Sequence, residues 1–322
     1  MHVFKTIAFL SIAVILSVAF LSGCSKNESL KLSTHTWIGY ETIPLAQQLG
    51  FIDDEINIFI TQSASDSLER LETGLVDAAT LTLDEVIQAR SRGVDLTVVL
   101  VMDQSAGADS VYARHSIETL SGLKGKRIAY EEGAVGEIVL LSLLKQAGLQ
   151  LDDVSLVNFP INRMEGVWRN DLADVVISYE PTSSAIEKHG GVRIFDSRQI
   201  PNMIVDVLAV RTELLKSRAK ALRTLLDAHF KTLKFMEKNH SKAMEMISKR
   251  TGLSTAELQK ALGGIFIPNL YENFELLKSG SDLEQTSVAL QAMLFERKMM
   301  KETSSLEGLF TNQYLPVEVR VK

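Results

Sequence analysis

Short apolar runs and amphipathic stretches alternate along most of the chain. In the first third, runs rich in Val, Ile and Leu predict strands at 30–37, 56–61, 77–81, 96–102 and 110–113. Between the first four strands, apolar positions recur every three or four residues, which predicts helices at 41–49, 65–73 and 83–92. Such an alternation predicts an α/β fold with doubly wound, parallel sheets.

A second series of elements follows, and then the pattern becomes helical. It predicts helices at 117–123 and 136–147, and strands at 126–130, 154–159, 174–178, 192–195 and 205–210. Beyond the last strand, apolar positions at helical spacing predict helices at 212–239, 241–250, 255–262 and 283–300. The chain is therefore expected to contain two series of α/β elements and a helical C-terminal segment.

Composition narrows the range of functions. The 322 residues are 46% hydrophobic and 23% charged, with a net charge of -6. That charge argues against binding to nucleic acid and against electrostatic adhesion to anionic membranes. The six His and the single Cys have no metal-ligand spacing, and no nucleophile motif is present. We therefore predict no cofactor, no metal site and no enzymatic activity.

The N-terminal segment predicts where in the cell the protein is located. Lys5 precedes an apolar run that ends in Leu21-Ser22-Gly23-Cys24, which resembles the lipobox of bacterial lipoproteins. The resemblance implies a signal peptide at 1–23, a lipidated Cys24, a polar tether at 24–29 and a location in the periplasm or cell envelope. Ser25 after the Cys favours the outer membrane in a two-membrane bacterium. An ordinary secretory signal or an uncleaved anchor is the alternative.

Five segments together resemble one protein family. They are Trp37-Ile38-Gly39-Tyr40, Gly50-Phe51-Ile52, the stretch LETGLVDAA at 71–79, LSGLKGKRIA at 120–129 and DVVISYEP at 174–181. In order and spacing they are similar to the solute-binding lipoproteins of ABC importers for nitrate, sulfonate, taurine and thiamine precursors. The resemblance covers residues 30–210 well and the helical tail loosely.

This resemblance implies a fold and its division into lobes. The family has the two-lobe periplasmic-binding-protein fold of type II, in which two crossing strands form a hinge and the ligand lies in the cleft. By resemblance the crossings fall near 109–114 and 206–211. Lobe 1 is then 30–108 plus 208–322, and lobe 2 is 109–207. We expect a monomer that binds a small molecule.

Candidate ligand-binding residues lie where the predicted strands end. They are Trp37, Tyr40, Thr80, Asp103, Gln104, Gly133, Ala134, Tyr179, Glu180 and Asp206. Aromatic rings can stack on a planar ligand, and a glycine lets the backbone approach it closely. Alternatives stay open: Trp37 can fill the core of its own lobe, Glu180 can be a first-turn helix acid, and Asp206 can pair with an Arg.

The same residues indicate a class of ligand. Ala134 and Val135 stand where oxyanion binders of this family carry a Ser, and Glu131 and Glu132 come just before. Carboxylates repel anions, so we predict a neutral or cationic planar nitrogen compound, such as a pyrimidine or thiamine precursor. We expect capture of this ligand for an ABC permease. The alternatives are an accessory of a membrane sensor, a binder of sulfonate, nitrate or taurine, and an extracytoplasmic enzyme.

Overall fold

The computed structural model describes residues 29–117 and 119–317. The predicted signal peptide, the lipidation at Cys24 and the tether up to residue 28 lie outside these ranges. Among the residues that are described, no helix combines the length and the apolar character needed to cross a membrane.

Two mixed sheets form the framework. In chain order, the strands are β1 (Leu30–Thr34), β2 (Ile56–Ile60), β3 (Ala78–Thr82), β4 (Leu96–Ser105), β5 (Ser110–Ala113), β6 (Arg127–Tyr130), β7 (Ser155–Asn158), β8 (Val175–Ser178), β9 (Val192–Asp196), β10 (Val205–Arg211) and β11 (Ile265–Phe266). The first sheet has the order β11-β4-β10-β3-β1-β2, and the second has the order β7-β6-β8-β5-β9. Each sheet has a parallel core, β2-β1-β3 in the first and β7-β6-β8 in the second.

Helices cover both sheets. They are α1 (Thr42–Gln48), α2 (Ala64–Glu72), α3 (Leu83–Ser91), α4 (Gly136–Ala147), α5 (Met164–Arg169), α6 (Thr182–Lys188), α7 (Ala219–Lys238), α8 (His240–Thr251), α9 (Thr255–Leu262), α10 (Leu270–Leu276) and α11 (Asp282–Glu296). Local sequence sets several of their ends. The Ser63 hydroxyl accepts from the third residue of α2, and α4 stops at Gly148, whose φ of 71° suits a residue without a Cβ.

The C-terminal helices belong to the side of the first sheet. Helix α7 packs against α1 and α8, and α11 packs against α3. Strands β3 and β10 contribute almost only buried side chains, and the apolar side chains of both sheets join in one continuous core. The carboxyl ends of the parallel strands are thereby held in fixed positions, and this is where the site lies.

Two crossings link the sheets, one between β4 and β5 and the other between β9 and β10. They are hydrogen-bonded to each other, because the hydroxyl oxygens of Ser105 and Ser197 lie 2.7 Å apart and the Gly107 N–H donates to Ser197 Oγ at 2.6 Å. The Ser105 N–H also donates to the Ile204 carbonyl. Two linked crossings are the architecture of a hinge, although the lobe boundaries at 108 and 207 remain predictions.

The structure corrects four expectations about the elements. The expectation of parallel neighbours for the apolar strand at 96–102 is wrong, since β4 is antiparallel to both β10 and β11. Its apolar character reflects burial on both faces, which does not depend on strand direction. The predicted helix at 117–123 is a short 3-10 turn at Leu120–Leu123, and the helix predicted from 212 begins at Ala219. Helices α5 and α10 and the two-residue strand β11 were not predicted.

Candidate functional site

The carboxyl ends of the parallel strands from both sheets face one another. Residues that follow β1 and β3 meet residues that follow β6 and β8, and they line two small, adjoining recesses. Asp109, Val135 and Tyr179 line both recesses. This is the place where open α/β sheets bind ligands.

Four rings form the wall of the first recess. The Trp37 and Tyr179 rings meet edge to face with centroids 5.1 Å apart, and His35 and Tyr40 do the same at 5.2 Å. All four side chains are buried. The hydroxyl of Tyr179 has no hydrogen-bond partner within the described part of the chain. The wall therefore offers flat apolar surface and a free hydroxyl.

Two carboxyl groups, Asp103 and Asp206, form a buried pair next to this wall. They are register partners in the antiparallel strands β4 and β10, which places their side chains side by side on one face of the sheet. Tyr40 donates its hydroxyl to Asp206 Oδ1 at 2.5 Å, and Trp37 donates Nε1 to Asp103 Oδ2 at 3.0 Å. Each aromatic side chain thus holds one member of the pair.

Burial makes this pair hold its protons. It raises the pKa of Asp103 to about 8, and the charge of Asp109 adds to the effect. Burial, together with the charges of Asp103 and Asp109, raises the pKa of Asp206 well above its usual range. The other oxygen of each carboxyl group, Asp103 Oδ1 and Asp206 Oδ2, has no hydrogen-bond partner among the described residues, and the raised pKa values keep at least one proton on the pair. A positively charged ligand would displace that proton.

Further carboxyl groups complete an acidic site. Asp109 and Glu85 line the first recess, and Glu131 lines the second together with Asp109. Burial raises the pKa of Asp109 to about 7 and that of Glu137, at the first turn of α4, also to about 7.

No cationic side chain balances these acids. Among the described residues, neither recess is lined by a Lys or an Arg. Burial lowers the pKa of His35 to about 4, so this ring is neutral at pH 7. Within the described ranges, no group of three or more His, Cys, Asp or Glu is arranged to hold a metal ion. The arrangement can attract a small cation, and neither recess offers a cationic side chain to an anion.

Gly39 is required for the position of Asp103. A Cβ at residue 39 would lie 1.7 Å from Asp103 Oδ2 and 2.8 Å from Trp37 Nε1. The loop after β1 therefore packs directly onto the buried carboxyl group, and only glycine fits there.

Replacing Gly39 by Ala is expected to displace Asp103 and to lower stability by about 1–3 kcal/mol, the usual effect of overpacking a buried site. Thermal unfolding of the ligand-free protein measures this. Gly166→Ala is the matched control, because a Cβ added to Gly166 in α5 would meet no neighbouring atom within 4 Å, so this variant should not lose stability. Equal melting temperatures for Gly39→Ala and the unaltered protein would contradict the packing argument.

Six of the ten predicted ligand-binding residues gather at the recesses. Five of them, Trp37, Tyr40, Tyr179, Ala134 and Asp206, line a recess, and Asp103 pairs with one of these. The remaining four lie elsewhere, as follows: Thr80 donates to Thr34, Gln104 is opposite Val205 in the sheet, Gly133 donates to Glu137, and Glu180 accepts from Ser184. Glu180 lies two residues before α6 and accepts from the Ser184 N–H in its first turn, so it caps the helix from outside and is not the first-turn acid that the sequence left as an alternative.

The predicted list of ligand-binding residues omitted four residues of the site, which are His35, Glu85, Asp109 and Glu131, although Glu131 was already an argument against an anionic ligand. A signal was present for two of them. Glu85 completes a Thr-x-x-Glu capping box with Thr82, and Glu131 directly follows a predicted strand. His35 and Asp109 gave none, because their burial depends on how the sheets approach each other.

The fold is that of the two-lobe periplasmic binding proteins, as the sequence predicted. The alkanesulfonate-binding protein of Xanthomonas axonopodis pv. citri, solved with bound MOPS, superposes with a TM-score of 0.71 at 15% identity, over 85% of this chain and 95% of that one. The profile of the NMT1/THI5-like family matches residues 41–243, more than half of the chain. The chain therefore belongs to the NMT1/THI5-like family.

Individual relatives leave the ligand open. A protein of Escherichia coli K12 that is named for binding aliphatic sulfonates is 28% identical over 129 residues, which are 39% of this chain and 40% of that protein. The chain thus spans less than half the length of this relative. The desulfurization enzyme DSZB also shares the fold, with a TM-score of 0.64, 14% identity and coverage of 88% of this chain and 97% of that one. Fold alone decides neither ligand nor activity.

Proposed function

We propose that this protein is the solute-binding component of an ABC importer and that it captures a small nitrogen-bearing cation between its two sheets. One observation carries the proposal: Asp109, Asp206, Glu85 and Glu131 line the recesses, and no Lys or Arg of the described residues does. A buried cation needs a carboxylate partner, and a buried carboxylate needs a cation or a proton.

The aromatic wall supports a planar ligand. Trp37, Tyr40 and Tyr179 can enclose a flat ring, and their faces attract positive charge. A protonated aminopyrimidine of the thiamine-precursor type has the required shape and charge. The carboxyl pair Asp103–Asp206 would accept hydrogen bonds from its amino group or ring nitrogen.

An aliphatic sulfonate is the second candidate, because two similar proteins are named for this class. The described recesses supply no cationic side chain for it. The polar groups that line the recesses are mostly carboxyl groups, and any of them that is ionised would repel a sulfonate.

We further infer the cellular setting. A monomer anchored by a lipid on Cys24 would present the cleft to a permease from the periplasmic side. An accessory role for a membrane sensor uses the same cleft and the same anchor. In either case the protein binds and releases its ligand without catalysis.

Calorimetric titration of the full mature chain tests the ligand class. We expect an aminopyrimidine to bind with a Kd of ~1 μM or tighter, about −8 kcal/mol, and an alkanesulfonate to give no heat. Native mass spectrometry of protein purified without added ligand should then retain a nitrogen-bearing small mass. Tight binding of the sulfonate, with no response to pyrimidines or other amines, would refute the proposal.

A further inference from the structure

Glu131 makes hydrogen bonds across the space between the sheets. It follows β6 in the second sheet, yet its Oε1 accepts from the Ser65 backbone N–H at 3.1 Å and from the Ser65 hydroxyl at 2.5 Å. Ser65 lies in the first turn of α2, which packs on the first sheet. The other oxygen, Oε2, accepts from the Ile161 N–H at 2.9 Å. Three donors thus converge on one buried carboxyl group.

These donors are of the kind that binds anions. The first N–H groups of a helix have no partner inside the helix, and the helix dipole adds partial positive charge there. Helix N-termini therefore bind sulfate, phosphate and carboxylate groups. The recess lined by Glu131 is also lined by Tyr179, whose buried hydroxyl is without a partner among the described residues. Without the carboxyl group, this wall would present four donors to a ligand.

A second carboxyl group repeats the arrangement in the opposite direction. Glu85 lies at the start of α3, on the side of the first sheet, and its Oε1 accepts from the Val135 N–H, at the start of α4, at 3.1 Å. Burial and the charge of Asp84 raise the pKa of Glu85 well above its usual range. Glu131 accepts two hydrogen bonds from the opposite side and Glu85 accepts one, so Glu131 is the better residue for a test.

We propose that Glu131 is a specificity-determining residue: it is a built-in anion that occupies the donors at the start of α2 and excludes oxyanions from the cleft. The proposal rests on the proposed function only in that the ligand binds in this cleft. According to this proposal, the side chain of Glu131 is the reason that the ligand of this protein differs in charge from the ligands of sulfonate binders with the same fold.

Glu131→Ala is the direct test. It removes the carboxylate and frees the Ser65 N–H, the Ser65 hydroxyl and the Ile161 N–H. We expect the unaltered protein to give no heat with methanesulfonate at ~10 mM, and Glu131→Ala to bind it with a Kd below ~1 mM, at least a tenfold gain. A folded Glu131→Ala protein that still does not bind methanesulfonate would overturn the proposal.

Three further variants sharpen the test. Glu132→Ala removes the neighbouring carboxylate, which is exposed and contacts none of the three donors, so it should gain nothing. Adding Ser65→Ala to Glu131→Ala should weaken the new binding about tenfold, the effect of one charge-assisted hydrogen bond. Glu131→Ser serves if the Ala variant does not fold, because its short side chain also frees the donors and its hydroxyl can donate to methanesulfonate, so it should also gain binding.

The outcome is separable from the outcome for the proposed function. If the unaltered protein binds no nitrogen-bearing cation but Glu131→Ala gains methanesulfonate, the proposed function fails and the assignment of Glu131 stands. If the unaltered protein binds the cation and neither folded Glu131 variant gains methanesulfonate, the function stands and the assignment of Glu131 fails.

Discussion

Replacing Asp206 by Asn is expected to weaken binding of a cationic ligand at least ~100-fold. Asp206 is buried, lines the first recess and is held by the Tyr40 hydroxyl, so the Asn side chain keeps the shape of the site while removing its charge. Leaving a buried cation without its partner costs about 3 kcal/mol or more, which corresponds to roughly 100-fold in Kd. Calorimetric titration with an aminopyrimidine measures the change.

The same substitution should stabilise the ligand-free protein. The carboxyl group of Asp206 lies beside Asp103 with no Lys or Arg lining the recess, so burial forces it to hold a proton near pH 7, whereas an amide needs none. Thus the melting temperature should rise while affinity falls. Asp54→Asn is the control, since it removes one exposed carboxylate in a turn and should change neither quantity. If Asp206→Asn binds the ligand with unchanged affinity, the carboxyl pair is not part of the binding site.

Much of the fold was predictable because the strands have strong local signals. The observed β5 has the predicted bounds, and most other strands differ from prediction by one or two residues at either end. Strand direction was not predictable from the same runs. The apolar run of β4 is buried by antiparallel neighbours that come from residues more than a hundred positions later in the chain, and no local pattern records that pairing.

The site was predictable where residues with side chains suited to ligand binding directly follow a strand. Trp37 and Tyr40 follow β1, Tyr179 follows β8, and the structure brings all three to the same recess. Glu180 also follows β8, but its carboxyl group caps α6 by accepting from Ser184. A position in the sequence fixes which end of the sheet a residue occupies, whereas its neighbours decide which way the side chain turns.

The residues that were missed depend on the approach of the two sheets. The sequence around Asp109 contains no signal of function. Asp109 becomes part of the site because the crossing between β4 and β5 places it between the sheets. Glu131 and Glu85 were visible as polar residues near strand ends. Their role follows only from hydrogen bonds to helices of the opposite side, which sequence spacing cannot reveal.

The acidic cluster also predicts an unusual pH dependence of stability. The folded protein raises the pKa of Asp103 to about 8 and those of Asp109 and Glu137 to about 7, in each case mainly by burial. In the unfolded chain these groups ionise near pH 4. Between the two values the folded state therefore holds more protons than the unfolded state, and its free energy of unfolding must fall as pH rises.

The window from pH 7.0 to 8.5 isolates this effect. Burial lowers the pKa of His35 to about 4 and that of His229 to about 3, so both rings are neutral in the folded protein throughout this window. In the unfolded chain, each ring is protonated in about a quarter of molecules at pH 7.0 and in almost none at pH 8.5, which opposes the effect of the acids by only about 0.3 kcal/mol in total. Most of the stability that these two histidines remove is lost below about pH 6.5.

Raising the pH from 7.0 to 8.5 is therefore expected to lower the free energy of unfolding by at least ~2 kcal/mol, because each carboxyl that keeps its proton only in the folded state contributes about 1.4 kcal/mol per pH unit. The melting temperature of the ligand-free protein should fall by about 4–8 °C. Asp206→Asn should reduce this slope, whereas Asp54→Asn should leave it unchanged. Affinity for a cationic ligand should rise over the same window, since the carboxyl pair must lose a proton to receive it. A melting temperature that is constant or rises from pH 7.0 to 8.5 would show that the acids are already ionised in the folded protein.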